Sequence, residues 1–297
     1  MNRVQELVAE SGEVSLSVRV HPRAGAPTVL LLHGFPDTQH VWDPVVRLLG
    51  AEHGLRVVTY DVRGAGGSTA PGARAGYRTE RLVDDLVAVL GRTCPDGEPV
   101  HLVGHDWGSV QLWDAVTTEQ SDDRLRGRIA SYTTISGPSL DHVAHELRRA
   151  RRERDLTLLG RQALHSWYVY AFHLPVLPEL FWRHLSGPLI GRLGGAQRLD
   201  DPAHWGATLG EDGAHGVNLY RANVRERMRC PRRGTTRVPV QLVVPEHDSF
   251  LLPQLYEHLG GFVPDLTRID VPAGHWVLRQ DPQLVARLVA DHVRRNA

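Results

Sequence analysis

The chain has 297 residues, with 34 acidic side chains balancing 34 basic ones and 41% hydrophobic content. That length favours one large or two modest domains, and the charge balance excludes a nucleic-acid-binding arm or a disordered tail. All 34 basic residues are arginine, which excludes Schiff-base catalysis, kinase chemistry, lysine-bearing phosphate loops and lysine-dependent short-chain dehydrogenases.

The apolar pattern alternates short strand-like runs with longer helical ones. Val14 to Val20 alternates with polar residues and reads as a half-exposed strand. Thr28 to Leu32 is a fully apolar run stopping at His33-Gly34-Phe35-Pro36-Asp37, and Arg56 to Val62 reads as another buried strand, stopping at Arg63-Gly64. A helix with Leu82, Val83, Leu86, Val87 and Leu90 on one face follows, with Thr79 expected as its N-cap and Gly91 as its stop. Val100 to Val103 and Ile129 to Ile135 are further strands. From about Ser139 to Arg237 there are no convincing strands, only basic helical runs, aromatic clusters and Gly/Pro breaks. Strands resume at Val238 to Val244 and Thr267 to Val271, and an amphipathic helix closes the chain from Pro282 to Arg295. The expected fold class is α/β, with a mainly parallel sheet, helices on both faces and an inserted helical cap. The expected organisation is a core at 1–138 and 238–297, with the cap at 139–237.

Cys94 and Cys230 make no CxxC pair and no disulfide framework. The opening twenty residues lack a signal-peptide core, and no apolar run approaches the roughly 18 residues of a membrane span. A cytoplasmic location is expected, with no metal and no organic cofactor.

In open α/β sheets, chemistry gathers at the carboxyl ends of strands. Gly104-His105-Asp106-Trp107-Gly108 stands at such an end, between strand and helix, with glycines two residues either side of Asp106. This is the pattern of a nucleophile elbow, which usually carries serine; the same residues also suit a helix N-cap followed by a core tryptophan. An aspartate attacking an acyl group would form a high-energy anhydride, whereas against a saturated carbon bearing a leaving group it forms an alkyl ester that water then cleaves. Epoxides and alkyl halides are such substrates; ordinary esters are not.

Cleaving that ester requires a base oriented by an acid, in the chain order nucleophile, acid, histidine. Asp248 follows the strand ending at Val244, and His275 follows the next one. Asp141 is the rival acid, read here as the start of a cap helix. His33, His101 and His105 are read as hydrogen-bonded structural histidines. Backbone N–H groups of Phe35 and Trp107 are placed to form the oxyanion hole.

Taken together, HGFPD at 33–37, GHDWG at 104–108, PEHDSFLLP and GHW at 274–276 resemble the epoxide hydrolases of the α/β-hydrolase fold, over nearly the whole chain. The resemblance implies two cap tyrosines that protonate the epoxide oxygen. WYVYAFHLP picks Tyr168, with Tyr170 the alternative if the register slips, and NLYRAN picks Tyr220. The implied partners are an epoxide and water, with no nucleic acid and no membrane; a homodimer stays open. Some longer relatives carry an added dehydrogenase-like domain; here the expectation is that no such activity accompanies this chain.

The nearest alternative is a haloalkane dehalogenase with the same acid–base set, using Trp107 with Trp167 or Trp205 as halide donors. Phe35 stands where asparagine would serve that reaction, and two tyrosines would have no leaving group to protonate. Fluoroacetate-type dehalogenases generally carry arginine at the Trp107 position. A non-catalytic small-molecule receptor is a third reading, disfavoured by the complete triad. The arginines at 148, 149, 151, 152 and 154 are read as a solvated face paired with Glu146, Glu153 and Asp155.

Overall fold

The computed structural model describes residues 3–196 and 205–297, with 188–196 described by their backbone alone. Strands β1 (Gln5–Ser11), β2 (Val14–His21), β3 (Thr28–Leu32), β4 (Arg56–Tyr60), β5 (Val100–His105), β6 (Ile129–Ile135), β7 (Val240–Pro245) and β8 (Leu266–Val271) form one sheet in the order β1-β2-β4-β3-β5-β6-β7-β8. The β1–β2 and β2–β4 ladders are antiparallel and the other five are parallel. β3 and β5 are buried at every position, as strands covered on both faces must be.

Helices α1 (Asp43–Ala51), α2 (Thr79–Thr93) and α3 (Trp107–Thr118) connect the first strands. Five more, α4 (Leu140–Glu153), α5 (Leu156–His165), α6 (Trp167–Phe172), α7 (Leu177–Ala196) and α8 (Leu209–Arg229), lie between β6 and β7, where no strand occurs among the described residues. α9 (Val277–Gln280) and α10 (Pro282–Arg295) close the chain. Val45, Leu49, Val285 and Val289 cover one face of the sheet; Leu82, Leu86, Leu112 and Trp113 cover the other. No helix among the described residues is long and apolar enough to cross a membrane.

Three local features depart from the sequence reading. β1 was not evident because it is an edge strand, burying only Ala9 and Ser11 of its seven residues. Thr79 does not cap α2: Arg78 holds the N-cap position. The Thr79 N–H instead donates to Asn223 Oδ1 (2.9 Å), and its hydroxyl accepts from Arg227 (2.7 Å). Gly91 does not stop α2, which continues to Thr93. The arginine face also differs in detail. Arg149 pairs with Glu146 and Glu153, while Asp155 caps α5 by accepting from the Leu158 N–H (2.9 Å).

Candidate active site

β5 ends at His105 and α3 begins at Trp107, so Asp106 alone makes the turn, at φ 50° and ψ −123°. That conformation is disfavoured for a residue with a Cβ and persists only where the surroundings impose it. They do so by close approach. A Cβ on Gly104 would stand 2.6 Å from the Ser109 backbone, and one on Gly108 would stand 2.2 Å from the Leu32 carbonyl oxygen. The turn at the end of β3, which contains a cis Phe35–Pro36 peptide, is equally close: a Cβ on Gly34 would stand 2.4 Å from the Asp106 Cβ.

Asp106 Oδ1 accepts a hydrogen bond from the Phe35 N–H (2.7 Å), and the Trp107 N–H also donates to the carboxylate. Burial pushes this carboxyl up to about 6, against the pull of His275 and the two N–H groups. The other oxygen, Oδ2, faces His275 Nε2 at 3.8 Å, too long for a hydrogen bond. His275 Nδ1 lies 2.9 Å from Asp248 Oδ2, so Nδ1 carries the proton and Nε2 is left free to act as a base. Burial works to lower the His275 pKa, but the Asp248 charge and hydrogen bond, with Asp106 behind them, raise it above its ordinary value. For Asp248, burial is outweighed by His275 and by the Phe250 N–H, and the carboxyl falls below its usual range. Its Oδ1 accepts from the Phe250 and Leu251 N–H groups at 2.8 and 3.2 Å.

Tyr168 on α6 and Tyr220 on α8 meet over this group, with ring centroids 5.9 Å apart. Tyr220 stands edge-on to Phe35 (5.4 Å) and Trp107 (4.8 Å). Tyr168 packs on Phe250 (5.5 Å), which in turn packs on His275 (4.8 Å). Burial raises both hydroxyls, and the Asp106 charge adds to the rise in each. Tyr170, the register alternative, is 71% exposed. Above Asp106 a cavity of about 610 Å³ extends between α4, α6 and α8.

The structure therefore brings together Asp106, Asp248, His275, Tyr168, Tyr220 and the Phe35 and Trp107 N–H groups. It takes Asp141 elsewhere, into an ion cluster with Arg227 and Arg232. Trp167 is largely exposed and Trp205 packs on Trp276 (5.7 Å); neither lines the cavity. His33 accepts the Val62 N–H (2.9 Å), and His101 bonds the Ser131 hydroxyl (2.8 Å). His105 Nε2 reaches the His275 carbonyl at 2.9 Å. Burial lowers His105 to about 3, so its ring is neutral and donates there. Ser136, at φ 50°, donates to the same carbonyl (3.4 Å). Sequence reasoning missed this pair as supports of the His275 backbone. The strand-end Ser136-Gly137 was the available signal. Among the described residues no group of three or more His, Cys, Asp or Glu side chains is placed to hold a metal ion.

A family model described as the alpha/beta hydrolase fold matches residues 27–282. The probable oxidoreductase EphD of Mycobacterium tuberculosis is 37% identical over 298 residues, covering 97% of this chain and 49% of that protein. The chain thus spans about half the length of this relative. Epoxide hydrolase 3 of Xenopus tropicalis is 27% identical over 290 residues, covering 91% of this chain and 72% of its own. An epoxide hydrolase from Bacillus megaterium, solved with its product, superposes with a TM-score of 0.78 at 20% identity, covering 97% of this chain and 100% of that one; this is a likeness of fold.

Proposed function

The chain belongs to the α/β-hydrolase-fold family, and from that premise we propose that it is an epoxide hydrolase. It opens an epoxide to a vicinal diol through a covalent ester on Asp106, with residues 139–237 acting as the cap. The observation that carries this reading is one carboxylate with two differently occupied oxygens. Oδ1 is held by the Phe35 N–H, while Oδ2 faces both a histidine base and the cavity beneath two tyrosines.

Asp106 Oδ2 attacks an epoxide carbon, the C–O bond breaks, and its electron pair stays on the oxygen. Tyr168 and Tyr220 hydrogen-bond that oxygen and supply the proton it takes up; a phenol with a reference pKa of ~10 suits a nascent alkoxide. The ester leaves Asp106 uncharged, which removes one of the influences raising the His275 pKa. His275 is thus returned towards the neutral base at the step that needs it. Its Nε2 takes a proton from water, whose oxygen adds to the Asp106 carbonyl carbon. The Phe35 and Trp107 N–H groups hold the oxyanion. Collapse expels the alkoxide, which takes the proton from His275 to complete the diol; Asp106 keeps one oxygen from water, and the proton left on its carboxyl restores the tyrosine hydroxyl.

The test is a single turnover in oxygen-18 water with styrene oxide. The heavy oxygen is expected in the Asp106 peptide, and the first diol is expected unlabelled. His275→Gln should accumulate the ester as a mass adduct. Label in the diol with none on Asp106 would replace the covalent route by direct water attack. Halide release from 1-bromobutane without diol from any epoxide would assign the chain to the dehalogenases.

A further inference from the structure

The cavity above Asp106 differs in character from end to end. Its inner end is formed by Asp106, Trp107, Tyr168 and Tyr220, and its walls are mostly apolar, with Val143, Leu147, Val224, Met228, Leu251 and Leu255 among them. α8 supplies Tyr220, Val224 and Met228 at four-residue steps, the spacing of a single helix face. Arg225 and Arg229 lie one residue further round, line the same cavity and are exposed to solvent. Their neighbours on α8 are satisfied: Arg221 pairs with Glu179, and Arg227 pairs with Asp114 and Asp141. Among the described residues Arg225 and Arg229 have no ion pair, and Asp106 is the only carboxylate on the cavity wall.

We propose that Arg225 and Arg229 form an anion subsite at the cavity mouth, which selects amphiphilic epoxides ending in a carboxylate and orients them. The proposal rests on the epoxide hydrolase reading. The two charged ends of the cavity set the direction of entry. The buried Asp106 carboxylate repels an anionic head, and the unpaired guanidinium groups hold it at the rim. An apolar chain then fills the walls, and the epoxide lies under the tyrosines. On a helix rising ~1.5 Å per residue, Arg225 and Arg229 stand roughly 7 and 13 Å along the axis from Tyr220. An extended chain advances ~1.2 Å per bond, so head and epoxide are separated by roughly six to eleven bonds.

10,11-Epoxyundecanoate fits that span, and its methyl ester keeps the chain without the charge. The acid should exceed the ester in kcat/KM by about tenfold, the effect of one charge-assisted hydrogen bond at a wet rim. That preference should collapse in the Arg225→Gln/Arg229→Gln double variant, chiefly through KM, and shrink with added salt. Equal turnover of acid and ester, or a preference that survives the double variant, would overturn the subsite. Diol from styrene oxide but from neither long substrate would overturn it too and leave the epoxide reading standing. Should no epoxide yield diol, that reading falls, and calorimetry with undecanoate against undecanol still decides the subsite. Tighter binding of the acid, lost in the double variant, supports it; no difference between the two ligands removes it.

Discussion

The proposed reaction needs its carboxylate ionised to attack, yet burial favours the neutral form. Asp106 carries that conflict, with a pKa raised to about 6 in the folded chain against ~3.9 for an unperturbed aspartate. A carboxyl raised by folding contributes most to stability below its unfolded pKa, and the contribution is lost as pH climbs from about 4 to 6. At neutral pH the ionised side chain therefore costs about 2 kcal/mol, after allowance for the hydrogen bonds that asparagine would weaken. Asp106→Asn should abolish turnover and raise Tm by roughly 4 °C at neutral pH. The gain should shrink towards zero at about pH 4, where both proteins are uncharged at this position. Thermal unfolding at the two pH values checks this; an equal gain at both would show that ionisation is not its source. The same shift sets the acid limb of the proposed reaction, since attack requires the Asp106 anion and ester cleavage requires neutral His275. Turnover should rise with pH through about 6 and upwards, as a pH–rate profile would show.

At the scale of elements, the helices between β6 and β7 have to be held in register with the sheet. Arg227, near the end of α8, is 6% exposed. It donates to Asp114 on α3 (2.6 Å), Asp141 on α4 (2.9 Å) and the Thr79 hydroxyl at the start of α2 (2.7 Å). Asn223, one turn earlier, accepts from the Thr79 N–H and donates to the Tyr77 carbonyl (2.8 Å). Tyr220 precedes Arg227 by seven residues, about 10 Å along the helix, so this polar seam fixes the height of the tyrosine over Asp106. Arg227→Ala leaves two buried carboxylates with Arg232 as their one remaining cation among the described residues, and should cost about 3 kcal/mol and lower kcat severalfold. Thermal unfolding and steady-state kinetics test it, and a Tm within a degree of the parent would remove the seam from the account. None of this seam was legible from the chain, because its partners lie up to 148 residues apart and an arginine in a charged helix reads like any other. Local patterns were legible wherever burial and turn chemistry agree. β3, β6 and α10 run over the expected residues, each an apolar or amphipathic run between turn residues. Thr79 misled because its polar groups serve α8 instead of its own helix. Within the candidate site, Asp106, Asp248 and His275 follow strands in motif order and could be named. Ser136 and His105 act through the backbone carbonyl of His275, a contact across 139 and 170 residues for which the strand-end Ser136-Gly137 was the one local sign.

For the whole molecule, the absence of lysine clears the alkaline range of its usual titration. Lysines would deprotonate near ~10.4, whereas guanidinium groups stay charged beyond 12, so the ion pairs of this chain persist where others dissolve. What titrates near pH 10 is tyrosine. Tyr60, Tyr77, Tyr132, Tyr168, Tyr220 and Tyr256 all have pKa values raised by burial, six of the chain's seven tyrosines. For a phenol raised by folding, the unfolded chain releases its proton first. Stability is then fully present below about pH 10 and is lost as pH rises past it. Each such group contributes up to about 1.4 kcal/mol per pH unit, and six acting together make the decline steep. Circular dichroism and tyrosinate absorbance followed together should stay flat to about pH 10. The two should then change in one step, with the buried phenols ionising as the fold opens. A tyrosinate rise exceeding one ring of the chain's seven under an unchanged dichroism spectrum would show that these buried rings reach solvent in the native state. Tyr168 and Tyr220 would then lack the low-dielectric setting that the proposed reaction requires of its proton donors.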